Sequence, residues 1–180
     1  MNKFQIRKKI LKIRKKNFDK NFKINSDKLI SFLKKKSNLK NIGGYYPSNY
    51  EIDDLEILDL LEKKNFNISL PIIKKNNQMN FFKWSNNDPL KINKFGIPEP
   101  VSSRIFYPDI LLVPLVAYDS NLNRLGYGGG FYDRYIEKIG KIKKVIKIGL
   151  AFSFQKIISV PINQYDKKLD FIITEKEIIK

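Results

Sequence analysis

The chain has 180 residues, 35 Lys and Arg against 18 Asp and Glu, a formal charge of +17, and neither cysteine nor histidine. That length, with a hydrophobic fraction of 42%, suffices for one domain spanning 1–180 with a sizeable core and excludes a disordered chain. Without Cys or His there is no disulfide, thiolate nucleophile, His-based general base or Cys- or His-ligated metal. Chemistry is left to Asp, Glu, Lys, Arg, Tyr and backbone N–H groups, a set that suits phosphoryl transfer with oxygen-liganded magnesium.

No apolar run is long enough to span a bilayer, and the start of the chain is charged. The expectation is a cytoplasmic protein with no membrane partner. Positive charge recruits anions, from nucleotides to nucleic acid. Most of the excess is Lys in company with Asn and Ile, however, a bias that proteome-wide drift also produces. This cause ranks ahead of a nucleic-acid role.

In chain order, Lys3 to Phe18 reads as a basic amphipathic helix with Ile6, Ile10, Ile13 and Phe18 on its apolar stripe. Asn25 or Ser26 caps a second helix through Leu29, Ile30 and Leu33. The run Lys34, Lys35, Lys36 reads as its solvated end. Asn41 to Tyr46 reads as a strand, Asp53 to Lys64 as a helix, Asn67 to Ile73 and Met79 to Trp84 as strands. Residues 85–108 are rich in turns, with five of the prolines and glycines that mark them. Ile110 to Val113 is a short strand apolar throughout, as expected of one covered on both faces. A glycine loop at Gly126 to Gly130, a helix from about Phe131, and strands at Val145 to Ala151 and Phe171 to Thr174 follow. The alternation predicts a three-layer α/β/α sandwich with a mostly parallel sheet.

The densest signal is Arg124-Leu-Gly-Tyr-Gly-Gly-Gly-Phe-Tyr-Asp-Arg134. Glycines admit positive φ and close backbone approach, and a helix start offers free N–H groups to an anion. Arg124 adds a fork-shaped phosphate donor, and Asp133 a hard oxygen for a magnesium ion on the phosphates. No Gly-Lys-Ser/Thr follows, so the loop is not a Walker A motif. It comes late for a dinucleotide fingerprint, and no acidic residue stands at the ribose position. The residues alone point to a phosphate-binding α/β protein.

The ordered set Lys3-Phe-Gln-Ile-Arg7, Tyr46-Pro-Ser-Asn-Tyr-Glu51, Phe95-Gly-Ile-Pro-Glu-Pro100, Val113-Pro-Leu-Val-Ala-Tyr-Asp119, the glycine loop, Gly149-Leu-Ala-Phe-Ser-Phe-Gln155, Pro161, Asp166 and Thr174-Glu175 resembles the 5-formyltetrahydrofolate cyclo-ligase (methenyltetrahydrofolate synthetase) family. The resemblance implies a fold related to sugar isomerases and CoA transferases. It implies a monomeric enzyme that closes 5-formyltetrahydrofolate with ATP and Mg²⁺, passing the γ-phosphoryl group to the formyl oxygen before N10 attacks, and binding no nucleic acid. By the family pattern, Lys3 and Arg7 meet ATP. Arg124, Leu125, Gly126, Tyr127, Gly128, Gly129, Gly130, Phe131 and Tyr132 form the nucleotide loop, with Tyr127 to Phe131 also facing the folate. Tyr46 and Glu51 contact the folate, Glu51 and Arg124 are the catalytic positions, and Asp133 and Asp166 are the magnesium ligands. Some members carry a basic residue where this chain has Gly129. The alternatives are a sugar-phosphate or acyl-CoA enzyme on the same fold, which needs no nucleoside triphosphate, and a basic nucleic-acid-binding module.

Overall fold

The computed structural model describes residues 1–18, 24–34 and 39–180, with the side chains of 26–28 set aside. The expected Ser26 cap and the Lys35–Lys36 part of the lysine run lie outside the described residues. In chain order the elements begin with α1 (Lys3–Asn17), α2 (Ser26–Lys34), β1 (Asn41–Gly43), α3 (Leu55–Glu62), β2 (Asn67–Ile73) and β3 (Met79–Lys83). Then come β4 (Leu90–Ile92), β5 (Pro98–Pro100), β6 (Ile105–Phe106), β7 (Ile110–Pro114), β8 (Ala117–Tyr118) and β9 (Arg124–Leu125). The last are α4 (Phe131–Gly140), β10 (Ile146–Leu150), β11 (Phe171–Ile173) and β12 (Ile178–Ile179).

One eight-stranded sheet runs in the order β12-β11-β10-β7-β1-β2-β3-β6. Its five inner strands, from β11 to β2, are joined by four parallel pairings, and β12, β3 and β6 add antiparallel edges. The strand β7 shows why. Ile110 to Val113 are wholly buried. Ile110 and Leu112 pack with Leu29, Leu33, Leu58 and Leu61 of α2 and α3. Leu111 and Val113 face the other way and pack with Tyr135 and Ile139 of α4. An apolar residue at every position is what a strand between two helical layers requires, and each such side chain contributes about 1.5–3 kcal/mol of burial. The predicted three-layer sandwich is therefore the observed one. Among the described residues, no helix is long and apolar enough to cross a membrane.

The helix α1 stands apart from these layers. Its Ile6 and Ile10 pack on the β8–β9 ribbon through Val116, Ala117 and Leu125, and on Val160. The expected stripe is corrected here. Ile13, half-buried, packs against the same cluster, but Phe18 lies beyond the helix against Tyr50, and the third buried position belongs to Arg14.

Three boundaries also differ. The first strand stops at Gly43 rather than Tyr46, because the Tyr45 amide turns away to donate to Asp54 Oδ2 at 3.1 Å. The turn-rich stretch holds the β4–β5 ribbon and β6. The sequence Pro-Glu-Pro conceals a strand, since prolines lack N–H donors and are tolerated only where no second neighbour needs them. The terminal pair Ile178–Ile179 forms an edge strand too short to show periodicity.

Gly44 lets the end of β1 pass against α3. A Cβ there would sit 2.4 Å from Leu58 Cδ1 and 3.0 Å from Asp54 Oδ2. Gly44→Ala is expected to cost about 1–3 kcal/mol through overpacking, read as a lower urea midpoint with unchanged slope.

Candidate active site

The parallel strands β1, β2 and β7 direct their C-terminal ends to one cleft of about 950 Å³, the side of an open α/β sheet where ligands bind. Lys3, Arg7, Tyr46, Glu51, every residue from Arg124 to Asp133, and Asp166 all line it. Sequence positions separated by up to 163 residues thus meet in one concavity.

α1 begins in a capping box. The Asn2 side chain accepts from Gln5 N at 2.9 Å, and Gln5 Oε1 accepts from Asn2 N at 3.0 Å. This fixes the first turns, so that Lys3 and Arg7, at i and i+4, project together. Lys3 Nζ donates to Asp166 Oδ2 at 2.5 Å, and Arg7 Nε donates to the Gly126 carbonyl at 2.7 Å.

The glycine loop needs its glycines. Gly128 and Gly130 have φ of +106° and +65°, values that strain an L-residue. At Gly129 the obstacle is contact, since a Cβ would lie 2.6 Å from the Phe131 ring. The loop is held on its far side by Arg134, which donates to Gly129 O at 2.7 Å and to Asn77 O at 2.9 Å. Arg124 is buried, and its Nη2 donates to Asp133 Oδ1 at 2.7 Å. The same oxygen accepts from Lys167 N at 3.0 Å.

On the opposite wall the loop after β1 carries Tyr46, half-buried, and Glu51, buried. Glu51 Oε2 accepts from Ser48 N at 2.7 Å and Ser48 Oγ at 3.2 Å. It does not cap α3. Asp54 holds the cap position, and Asp53 Oδ1 takes the Leu55 amide at 3.0 Å. Burial pushes the Glu51 carboxyl above the ordinary carboxylate range, opposed by the Tyr127 hydroxyl, Ser48 and the charge of Arg14. Burial, and next the Glu51 charge, push the Tyr127 phenol upward as well, so its hydroxyl stays protonated as a donor.

Asp133 and Asp166 line the cleft as hard oxygen donors, each paired with a cation. Among the described residues no three His, Cys, Asp or Glu side chains gather to form a complete cage. Two carboxylates suit magnesium, which keeps most of its octahedron for water and phosphate oxygens. The donor set therefore fits that ion.

Arg14, bonded to Tyr127 of the cleft wall, escapes a reading for motifs, and Arg134, which ends the glycine motif, is given no role by it. Arg14 had a signal, as a charged residue four beyond Ile10 where the apolar stripe should continue. Trp84 and Phe81 are core residues.

A model of the family described as "5-formyltetrahydrofolate cyclo-ligase family" matches residues 1–175. The chain is 36% identical over 137 residues to the 5-formyltetrahydrofolate cyclo-ligase of Haemophilus influenzae, covering 72% of this chain and 73% of that one. It is 30% identical to that of Mycoplasma pneumoniae over 98% of this chain and all of its relative. The solved structure of Aquifex aeolicus 5,10-methenyltetrahydrofolate synthetase superposes with a TM-score of 0.80 at 31% identity, over 99% of this chain and 92% of that one. A synthetase structure from Mycoplasma pneumoniae gives 0.75 at 27% identity over 97% and 99%. With the family model matching residues 1–175 and a fold shared with those solved structures, the chain belongs to the 5-formyltetrahydrofolate cyclo-ligase family.

Proposed function

We propose that the glycine-loop side of the cleft binds ATP, that the Glu51 side binds 5-formyltetrahydrofolate, and that the two react there to give 5,10-methenyltetrahydrofolate, ADP and phosphate. The observation that carries this reading is the convergence of both residue sets on one cleft. Lys3, Arg7 and Arg124 bring three cations to its phosphate side, where they neutralise charge on phosphoryl oxygens as it shifts. The loop glycines let backbone N–H groups approach the same oxygens. Asp133 and Asp166 would hold Mg²⁺, which supplies further charge neutralisation on bound phosphates. Glu51 accepts N–H groups of the folate ring, and Tyr46 lines the same wall, so that the formyl group is oriented toward the loop.

The reading requires that both ligands sit in the cleft together. Titration with a non-hydrolysable ATP analogue, in the absence and presence of saturating folate, is expected to show both bound at once. Mutual displacement would overturn it.

Lys3→Ala and Arg7→Ala are each expected to weaken ATP binding by about 1.5–3 kcal/mol, the worth of a hydrogen bond to a charged group. Folate binding and folding should be preserved. Ile6 is buried between them, so replacing side chains tests this more cleanly than truncating the helix. Isothermal titration of each variant reads the effect, and unchanged ATP affinity in both would contradict the assignment.

Asp133→Asn should raise the Mg²⁺ concentration for half-maximal rate by at least about tenfold, the scale on which even outer-shell partners act. If Asp133 only held Arg124, the rate would drop equally at all Mg²⁺ concentrations.

A further inference from the structure

Arg14 is 1% exposed, unusual for a guanidinium, and neither of its bonded partners is charged. Nη1 donates to the Leu115 carbonyl at 3.1 Å, and Nη2 makes a short bond to the Tyr127 hydroxyl. Its guanidinium also lies 5.5 Å from the centroid of the Tyr127 ring. Among the described residues, no carboxylate lies within ion-pair distance of Arg14. A buried cation needs a counter-charge, and the one it meets is reached through Tyr127. That hydroxyl accepts from Arg14 and lines the same cleft as the Glu51 carboxylate, close enough for the two groups to interact electrostatically. A phenol can accept one bond and donate another, so the Tyr127 hydroxyl is chemically able to relay the Arg14 charge to the Glu51 carboxylate. Ser48 holds that carboxylate from the other side with its amide and hydroxyl.

The helix geometry gives this relay a further consequence. Lys3, Arg7 and Arg14 fall on one face of α1, at i, i+4 and i+11. The first two turns reach the phosphate side of the cleft, and the fourth reaches the folate side. A fastening role alone would need only the bond to Leu115. The second arm is directed at the glycine-loop tyrosine, whose neighbour Gly128 packs beside Arg7.

We propose that Arg14 is a positioning residue for the folate half of the site, supplying through the Tyr127 hydroxyl the counter-charge that holds the Glu51 carboxylate in its binding geometry. This rests on the assignment of Glu51 to the folate. Arg14 touches neither substrate; it acts through Tyr127. Folate affinity is then set partly by a residue in the helix that also carries the ATP-side cations.

The test is a double-mutant cycle in the full chain, with ATP and 5-formyltetrahydrofolate titrated separately. Arg14→Met removes the charge and keeps an apolar stem. Tyr127→Phe removes only the hydroxyl and leaves the bond from Arg14 to Leu115 intact, so it serves if Arg14→Met fails to fold. Each is expected to weaken folate binding about ten- to hundredfold, the range for loss of a charge-assisted hydrogen bond, with ATP affinity unchanged. In the Glu51→Gln background each should add nothing further, because the residues act as a unit. Each single variant should also move the pH midpoint of folate binding upward, since Glu51 ionises less readily without its donor. A merely structural arginine would give none of this. Its loss would lower ATP and folate affinity together, persist undiminished with Glu51→Gln, and leave the midpoint in place, and any of these results overturns the proposal. If Glu51→Gln by itself leaves folate binding intact, the folate assignment fails first and the proposal with it. If Glu51→Gln weakens folate binding but the cycle is additive, only the role of Arg14 is rejected.

Discussion

Glu51→Gln is expected to weaken 5-formyltetrahydrofolate binding by about 2–5 kcal/mol, the scale for removing a charge from a buried hydrogen-bonded pair. The substitution keeps the shape of the side chain. It replaces a group that only accepts with an amide facing the Ser48 amide and hydroxyl, which already donate to it. ATP affinity should be unchanged, because the phosphate-side groups are carried by α1 and the loop before α4. Titration of the folded variant with each ligand alone checks this. Folate binding as tight as in the parent chain, with ATP binding impaired, would remove Glu51 from the folate half. A stability signature accompanies the effect. An acid whose pKa is raised by burial stabilises the fold while it is neutral, below the carboxyl's unfolded value, and loses that contribution as pH rises through the raised one. Glu51 and the fully buried Asp54 both have this sign. Glu51→Gln should therefore flatten part of the decline in unfolding free energy across that window.

Gly128→Ala should chiefly damage ATP binding. At φ +106° an alanine is strained by about 1–3 kcal/mol. Its Cβ would also stand 3.3 Å from Arg7 Cζ, so the new methyl pushes on a phosphate-side guanidinium as well as on the loop backbone. The expected loss of ATP affinity is about tenfold or more, since each factor of ten corresponds to about 1.4 kcal/mol. Folate affinity should change far less. Gly130→Ala is a useful companion. Its Cβ would meet Arg134 Nη1 at 2.7 Å, the mobile end of a side chain, while its φ of +65° is milder. A larger ATP defect at Gly130 than at Gly128 would show that the Arg134 clamp, and not the contact with Arg7, governs the loop.

The layers of the fold were legible because burial on two faces writes itself into composition, as at Ile110 to Val113. The glycine loop was legible because positive φ and close approach demand a residue without a Cβ. What escaped was structure held by single long-range contacts. The β4–β5 ribbon hides behind prolines, and β8–β9 are two residues each, too short for any period. Arg14 was obscured by its setting. In a helix crowded with Lys, one more cation reads as solvated, and only its place after Ile6 and Ile10 marks it as inward. Lys3, Arg7, Glu51 and Asp166 would likewise have passed as surface, cap or turn residues without the family resemblance. Asp166 is in fact a turn residue as well, accepting from Asn163 N at 2.6 Å. One oxygen serves the turn and Lys3 together while the side chain lines the cleft.

The most direct test of the central claim is an assay of the purified chain with 5-formyltetrahydrofolate, ATP and Mg²⁺, following the folate product and ADP together. Formation of 5,10-methenyltetrahydrofolate is predicted, with one ADP and one phosphate per ring closed, and with none formed when ATP is left out. Ring closure that proceeds without ATP, or ATP turnover that leaves the folate unchanged, would contradict the account.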